Sequence, residues 1–167
     1  RTDRILCLPD DDRDGVADRC IIFADKLNSV TGFEFWGGGM LVAAAPEIWF
    51  LKDTDGDDKA DVKIRMLQGI SSADTHHSAN AMLIGPDGWL YAAQGSTVTG
   101  HIKRYGSKDP QVHSMGQLIW RYHPETKQYE IFAEGGGNTF GVEIDAKGRI
   151  YSGHNGGDTR GFHYVQG

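Results

Sequence analysis

Short runs of apolar, β-branched and aromatic residues recur along the chain, separated by turns rich in Gly and Asp. Five such runs lie at 39–45, 47–51, 62–67, 117–122 and 128–133. No stretch shows the 3.6-residue period of an amphipathic helix. The pattern therefore predicts an all-β protein built from short strands.

An internal repeat organises part of this pattern. Residues 8–27 align with residues 51–70 at an offset of 43, and each segment consists of a strand, an acidic loop and a second strand. A second pattern relates residues 83–91 to residues 142–151, where an apolar strand, an Asp/Gly turn and an aromatic-ended strand follow one another. Each pattern is typical of a β-hairpin.

Units of about 40 to 60 residues that each hold four short strands are typical of β-propeller blades. The sequence divides into two outer strands in 1–27, a blade in 28–70, a blade with an insertion at 95–116 in 71–135, and two inner strands in 136–167. Propellers close with about four to eight blades. The sequence therefore predicts a partial β-propeller, about three four-stranded blades of a longer one.

Composition supports a folded, turn-rich domain. The chain has 23 Gly against 5 Pro, 39% apolar residues and a formal net charge of −6. The negative charge is concentrated in two Asp-rich clusters, which argues against duplex nucleic acid as a partner. No run approaches the roughly 18 apolar residues that span a bilayer, and residues 1–10 lack the plan of a signal peptide, so an export signal would lie outside this chain.

The two cysteines, Cys7 and Cys20, lie in neighbouring apolar runs that a hairpin would bring close together. Both a disulfide and a pair of buried free thiols are consistent with this spacing, because pairing cannot be deduced from two cysteines alone.

The acidic clusters place carboxylates at positions 1, 3, 5 and 9 of two nine-residue loops. Alternate residues of a tight loop can turn inward and form the oxygen cage that Ca²⁺ prefers. Gly15 permits the bend in the first loop, whereas the second has Asp58 at that position and Gly56 earlier. The alternative is an Asp-rich turn held by side-chain-to-backbone hydrogen bonds. The predicted calcium ligands are Asp10, Asp12, Asp14, Asp18, Asp53, Asp55, Asp57 and Asp61.

The loops differ from an EF-hand, because Ile21 and Ile64 stand where that motif needs Glu and because predicted strands flank them. Their spacing resembles the calcium hairpin loops of integrin-type propeller blades. Such a metal would hold a hairpin together, and no catalytic role follows from it.

The segment 74–91 carries a further resemblance. His77 stands eight residues before Gly-Pro-Asp-Gly at 85–88, which resembles the inner-strand motif of the soluble aldose dehydrogenases that depend on pyrroloquinoline quinone (PQQ). The resemblance implies that His77 is the general base that takes a hydroxyl proton while hydride passes to the quinone, a role suited to imidazole. The alternative is that His76 and His77 only form hydrogen bonds across a propeller channel.

The tail 138–164 is dense in polar residues and Gly, so it could line a channel mouth or form a loop whose polar groups satisfy one another. His101 and His113 fall in the insertion 95–116, whose composition predicts an exposed loop, and no role is assigned to them. The predicted cofactor- or substrate-binding residues are His76, Asn80, His154, Asn155, Asp158 and Arg160.

The order of the acidic loops, the Gly-Pro-Asp-Gly-Trp segment and the tail resembles the membrane-bound dehydrogenase-like domain found in large exported proteins of planctomycete-type bacteria. That resemblance implies a six-bladed, periplasmic, cell-surface or extracellular propeller that oxidises an aldose or related hydroxyl substrate, with Ca²⁺ and PQQ as cofactors. A haem domain or another acceptor in the parent chain would take the electrons, although no Cys-x-x-Cys-His motif occurs here. The alternative function is a non-catalytic propeller that binds carbohydrate or a partner protein.

Overall fold

The computed structural model describes residues 2–74, 77–154 and 160–167, and within these ranges the protein contains strands and no helix. The all-β prediction is therefore confirmed. In chain order the strands are β1 (Asp3–Cys7), β2 (Ile21–Leu27), β3 (Val30–Trp36), β4 (Gly39–Ala44), β5 (Glu47–Lys52), β6 (Val62–Ile70), β7 (Ala79–Ile84), β8 (Leu90–Gln94), β9 (Gly100–Arg104), β10 (Val112–Ser114), β11 (Leu118–His123), β12 (Gln128–Glu134), β13 (Thr139–Ile144), β14 (Ile150–His154) and β15 (Gly161–Tyr164).

The strands form four antiparallel sheets. β1 and β2 form a two-stranded sheet, and a six-stranded sheet has the order β10-β9-β6-β5-β4-β3. A four-stranded sheet has the order β12-β11-β8-β7, and a three-stranded sheet has the order β13-β14-β15. Within each sheet, strands that follow one another in the chain pair, except that β8 pairs with β11 because β9 and β10 join β6 instead. In the described part of the chain no helix is long and apolar enough to cross a membrane.

The 43-residue repeat extends to the register of strand pairing. Leu6 pairs with Ile22 in the β1–β2 hairpin, and Trp49 pairs with Arg65 in the β5–β6 hairpin. Each hairpin also has a register shift immediately before this pair. The β1–β2 sheet is thus the structural equivalent of the β5–β6 hairpin in the sheet that follows it.

Successive sheets pack face to face around three apolar clusters. One cluster joins Leu27 of β2 to Val42 of β4, and a second joins Ile48 of β5 to Trp120 of β11. The third packs residues such as Ile119 against β13, β14 and β15. The first strands of successive sheets are neighbours, with β3 beside β7 and β7 beside β13.

The insertion 95–116 corrects the prediction of an exposed loop. Its residues form the β9–β10 hairpin, and β9 pairs with the outer edge of β6. Ile102 and Ser114 are buried in the contact with the sheet. The Gly/Ser/Lys composition concealed these strands because only a few residues of each one face the core.

The structure corrects one further detail and decides another that the sequence left open. The segment 136–167 holds three strands rather than two, and Tyr164 of the third fills the cluster against Ile150. Cys7 pairs with Ile21 rather than with Cys20, and both cysteines are free thiols. Neighbouring residues of a strand face opposite sides, so the register turns the two thiols away from each other.

Candidate functional site

The candidate residues lie at two opposite ends of the sheets. The second acidic loop joins β5 to β6 at one end, and β6 then runs to Ile70, from which the chain passes through Asp74 and His77 into β7. The loop before β6 and the segment after it lie at opposite ends of this strand. Since the neighbouring strands run antiparallel beside it, these are also opposite ends of the sheet. The acidic loops and His77 therefore belong to separate sites.

In the first acidic loop, carboxylates bind the backbone of the same loop. The two oxygens of Asp10 accept hydrogen bonds from the N–H groups of Asp14 (3.1 Å) and Gly15 (3.0 Å). Asp18 accepts from the N–H of Asp11 at 2.7 Å, and Asp14 accepts from that of Val16 at 2.7 Å. These bonds close the loop between β1 and β2.

The second loop repeats most of these hydrogen bonds at equivalent positions, but Gly56, the equivalent of Arg13, replaces the equivalent of Asp14 as a donor to the first carboxylate. Asp53 accepts from the N–H groups of Gly56 (2.8 Å) and Asp58 (2.9 Å), and Asp61 accepts from that of Thr54 at 3.1 Å. The Gly56 N–H is the main reason that the pKa of Asp53 lies below its usual value, and desolvation opposes it less strongly. Asp53 therefore stays ionised to lower pH than an isolated aspartate.

The shifted glycine of the second loop does not change its backbone. Arg13 and Gly56 are equivalent and both have positive φ, 61° and 82°. Gly15 and Asp58 are the next equivalent pair, with φ of 88° and 63°. Each loop thus has two residues in the left-handed conformation. The single Gly occupies the second of these positions in the first loop and the first of them in the second loop. Asp tolerates this conformation better than most side chains, because its short polar side chain can form local hydrogen bonds.

Each loop gathers three of its four predicted ligands. Oxygen atoms of Asp10, Asp12 and Asp18 all lie within 4.8 Å of one another, and those of Asp53, Asp55 and Asp61 do the same. Asp14 and Asp57 lie outside these triplets and accept hydrogen bonds from the N–H groups two residues further on. Three convergent carboxylates form a hard oxygen site of the kind that suits Ca²⁺.

A lysine distinguishes the second triplet from the first. The Nζ of Lys59 lies 2.8 Å from Oδ2 of Asp57, and this hydrogen bond is the main cause of the raised pKa of Lys59. The equivalent position in the first loop is Val16. The second loop therefore has a cationic side chain beside its carboxylates, whereas the first loop has an apolar side chain at that position.

At the other end, His77 forms an acid–base pair with Asp74. His77 Nδ1 lies 2.6 Å from Asp74 Oδ2, and the side chains are 23% and 37% exposed respectively. Asp74 also accepts a hydrogen bond from Thr97 Oγ1 at 3.3 Å, and the Phe140 ring packs near the imidazole. An ionised Asp74 accepts from Nδ1–H, which selects the tautomer that presents Nε2 as the proton acceptor.

Polar contacts between the ends of three strands, β7, β8 and β13, hold this pair in place. The His77 carbonyl accepts a hydrogen bond from Gly95 N–H at 2.9 Å. Asn138 Oδ1 accepts from Ser96 N–H at 3.0 Å. A Cβ atom at Gly95 would lie 2.5 Å from Asn138 Oδ1 and 3.0 Å from the His77 carbonyl oxygen, so a side chain there would force the neighbouring groups to shift. The sequence gave no reason to assign a role to Asp74, Gly95, Thr97 or Asn138. These residues come together only because the end of β8 and the start of β13 lie beside the segment that precedes β7.

The other predicted binding residues have different environments. Asn80 connects two strands, since its Nδ2 donates to Ser78 O at 3.0 Å and its Oδ1 accepts from Gly141 N–H at 3.4 Å. His154 ends β14 opposite Thr139, at the same end of the sheets as His77. Arg160 is exposed and directly precedes β15. His76, Asn155 and Asp158 lie outside the described residues.

The described cluster around His77 does not fit a polyanionic quinone. Such a cofactor requires cationic groups to bind its carboxylates. The side chains that form hydrogen bonds in this cluster, those of Asp74, Thr97 and Asn138 with His77, are acidic or polar, and none is Lys or Arg. A quinone would therefore have to be held by other residues.

A family model described as a domain of unknown function, DUF7133, matches residues 1–166. No curated protein and no solved structure matches the chain.

Proposed function

The chain belongs to the DUF7133 family, whose description leaves the function open, and we propose that it is part of a β-propeller that binds a sugar or other hydroxylated substrate beside His77. The observation that carries this proposal is the 2.6 Å contact between His77 Nδ1 and Asp74 Oδ2 at the ends of the inner strands. His77 acts there as a general base.

The sheet arrangement supports the propeller. The β3-to-β6 and β7-to-β12 sheets each contain a four-stranded antiparallel meander, and they pack face to face with β3, β7 and β13 as neighbours. Blades around a central channel have this arrangement. The β1–β2 sheet repeats only the outer half of a blade, and beside it lies an apolar groove of about 920 Å³ lined by residues such as Leu6 and Phe35. Two inner strands equivalent to β3 and β4 would fill this groove.

The pair His77 and Asp74 provides the chemistry. Asp74 holds the imidazole through Nδ1, so Nε2 takes the proton of a bound hydroxyl group. The carboxylate then stabilises the imidazolium that forms. Removal of the hydroxyl proton promotes the transfer of hydride from the carbon that carries the hydroxyl group. The aldose dehydrogenases that the sequence resembles use a histidine to remove this proton. PQQ is the acceptor that this resemblance implies, and it would have to be held by groups outside the described cluster.

Calcium has a structural part in the proposal. The triplets Asp10, Asp12, Asp18 and Asp53, Asp55, Asp61 lie at the opposite end from His77 and would each bind one ion that closes an outer hairpin. We also propose, as the resemblance implies, that the protein belongs to an exported assembly in which a haem domain or another acceptor would collect electrons.

The direct test is dye-linked oxidation of a panel of aldoses by the intact protein with PQQ and Ca²⁺. We expect turnover that disappears in His77→Ala and falls strongly in Asp74→Asn, which keeps the shape of the side chain but not its charge. His163→Ala is the matched control, because His163 is also a strand histidine beside an aromatic ring, Tyr151, and should retain turnover.

The alternative, a carbohydrate- or partner-binding propeller, predicts a different result. Glycan binding that survives His77→Ala, in a folded protein without turnover, would reject the general base and favour the binding module. Turnover that is unchanged in both His77→Ala and Asp74→Asn would show that catalysis occurs elsewhere.

A further inference from the structure

Two histidines face each other on the outer hairpin. His101 of β9 pairs directly with His113 of β10, and both side chains are exposed. Their ring centroids lie 4.7 Å apart, with an angle of 52° between the ring planes. We propose that His101 and His113 form a two-histidine site for a divalent transition-metal ion such as Zn²⁺, Cu²⁺ or Ni²⁺.

The backbone under this pair is fixed by the core. Ile102, between His101 and Lys103, is 1% exposed, and Ser114, next to His113, is 2% exposed. Alternation along the strands therefore directs both imidazoles to the outer face. Directly opposite residues of an antiparallel pair have Cβ atoms about 5 Å apart, a separation from which two imidazoles can converge on one ion.

A glycine brings the hairpin close to the main sheet. Gly69 of β6 has a positive φ of 102°, and a Cβ atom there would collide with the carbonyl oxygen of His101. Because β6 has no side chain at this point, the backbone of β9 lies directly against it. The two ligands are thus held on a rigid support, which reduces the entropy lost on binding.

The imidazoles have no competing partner. In the described part of the chain neither the His101 nor the His113 side chain takes part in a hydrogen bond or ion pair. The two rings contact each other. Neutral imidazole is the nitrogen ligand that Zn²⁺, Cu²⁺ and Ni²⁺ favour. Two protein ligands leave coordination positions for water or for a donor group of another molecule.

Ligand chemistry separates this site from the acidic loops. Carboxylate triplets favour Ca²⁺, whereas imidazoles favour later transition metals. Saturation of the loops with Ca²⁺ therefore prevents the carboxylate triplets from binding the added transition metal. The inference does not depend on the proposed role of His77, which lies in a different segment.

The experiment is a calorimetric titration of the tag-free protein with Ni²⁺ in excess Ca²⁺. We expect one site in the parent protein that is lost in His101→Ala and in His113→Ala, and retained in His163→Ala. The nitrogen hyperfine pattern of bound Cu²⁺, measured by electron paramagnetic resonance, should show two imidazoles in the parent and fewer in each variant.

Circular dichroism of each variant provides the folding check, and both substitutions affect exposed side chains. Absence of Ni²⁺ binding by the parent protein would overturn the proposal. Binding that persists in both single variants, or that disappears in His163→Ala instead, would assign the ion to other residues and overturn it equally.

Discussion

Gly15 and Asp58 lie 43 residues apart and occupy the same left-handed position in two equivalent loops, with φ of 88° and 63°. Each donates its backbone N–H to the first carboxylate of its loop, Asp10 or Asp53, at 3.0 and 2.9 Å. The carboxylate-centred hydrogen bonds therefore maintain one loop geometry with two different distributions of glycine.

This geometry predicts the cost of adding a side chain. Gly15→Ala and Gly56→Ala should each lower the free energy of unfolding by about 1 kcal/mol, because Ala is strained at positive φ. A Cβ atom at either position meets no other atom within 4 Å, so steric clashes add nothing. Urea denaturation measures the change. Arg13→Ala, which replaces one non-glycine residue by another, should change stability much less, and an equal loss there would contradict this explanation.

Calcium should stabilise the protein through both loops. An ion that binds only the folded state at 100 times its Kd adds about 2.7 kcal/mol per site. We expect a calcium-dependent rise in Tm that is reduced in Asp12→Asn and in Asp55→Asn. Glu125→Gln, a change at an exposed carboxylate outside the triplets, should leave the rise intact. An unchanged rise in the Asp12→Asn/Asp55→Asn double variant would exclude the triplets as the sites.

Lys59 should make the second loop the weaker calcium site. Its ammonium lies 2.8 Å from Asp57, so it competes electrostatically with an incoming cation. Lys59→Val introduces the residue found at the equivalent position of the first loop and should tighten the weaker Kd, whereas Val16→Lys should weaken the tighter one. Calorimetric titration of the two variants provides the measurement. A Lys59→Val protein with unaltered calcium affinity would show that the lysine has no such effect.

Gly95 should be essential to the geometry at His77. A Cβ atom there would lie 2.5 Å from Asn138 Oδ1 and 3.0 Å from the His77 carbonyl oxygen. Gly95→Ala should therefore destabilise the protein by about 1 to 3 kcal/mol and shift the imidazole NMR signals of His77. The control is Gly32→Ala, whose Cβ atom would find its nearest neighbour at 3.8 Å. Unchanged His77 signals in Gly95→Ala would contradict the proposed packing.

Two tyrosines should limit stability at alkaline pH. Burial raises the pKa of Tyr122 to about 12, with a smaller opposing effect of Arg104, and burial also raises the pKa of Tyr129. An unfolded tyrosine has a pKa of about 10. Because folding favours the neutral phenol, this contribution to stability is complete below about pH 10 and is lost as the pH rises towards 12.

Tyr122→Phe and Tyr129→Phe should therefore move alkaline unfolding to higher pH. Both hydroxyl oxygens are buried without a hydrogen-bond partner among the described residues, so the same changes should leave stability at pH 7 unchanged or raise it by about 1 kcal/mol. Circular dichroism against pH and urea denaturation give the two readouts. Tyr105→Phe is the control, because Tyr105 is 41% exposed. An alkaline transition at the same pH in all three variants would refute the assignment.

Local patterns in the sequence determined the class of the fold and the form of the acidic loops. Alternation within single strands predicted an all-β protein, and the 43-residue repeat predicted two equivalent hairpins whose registers agree. The loop bonds form within nine residues, so the spacing of Asp10, Asp12 and Asp18 was sufficient to bring their carboxylates together. Such features depend on neighbours in the chain, which the sequence contains directly.

Only the tertiary structure decided which distant segments meet. The sequence singled out His77 but not the contact of Thr97 with Asp74, and it gave no reason to join the β9–β10 hairpin to β6 or to pair His101 with His113. It also left the cysteine pairing open. The strand register decided it, because Cys7 pairs with Ile21, one residue away from Cys20. Alternation shows that a strand has two faces, but its partner and its register depend on packing across the whole core.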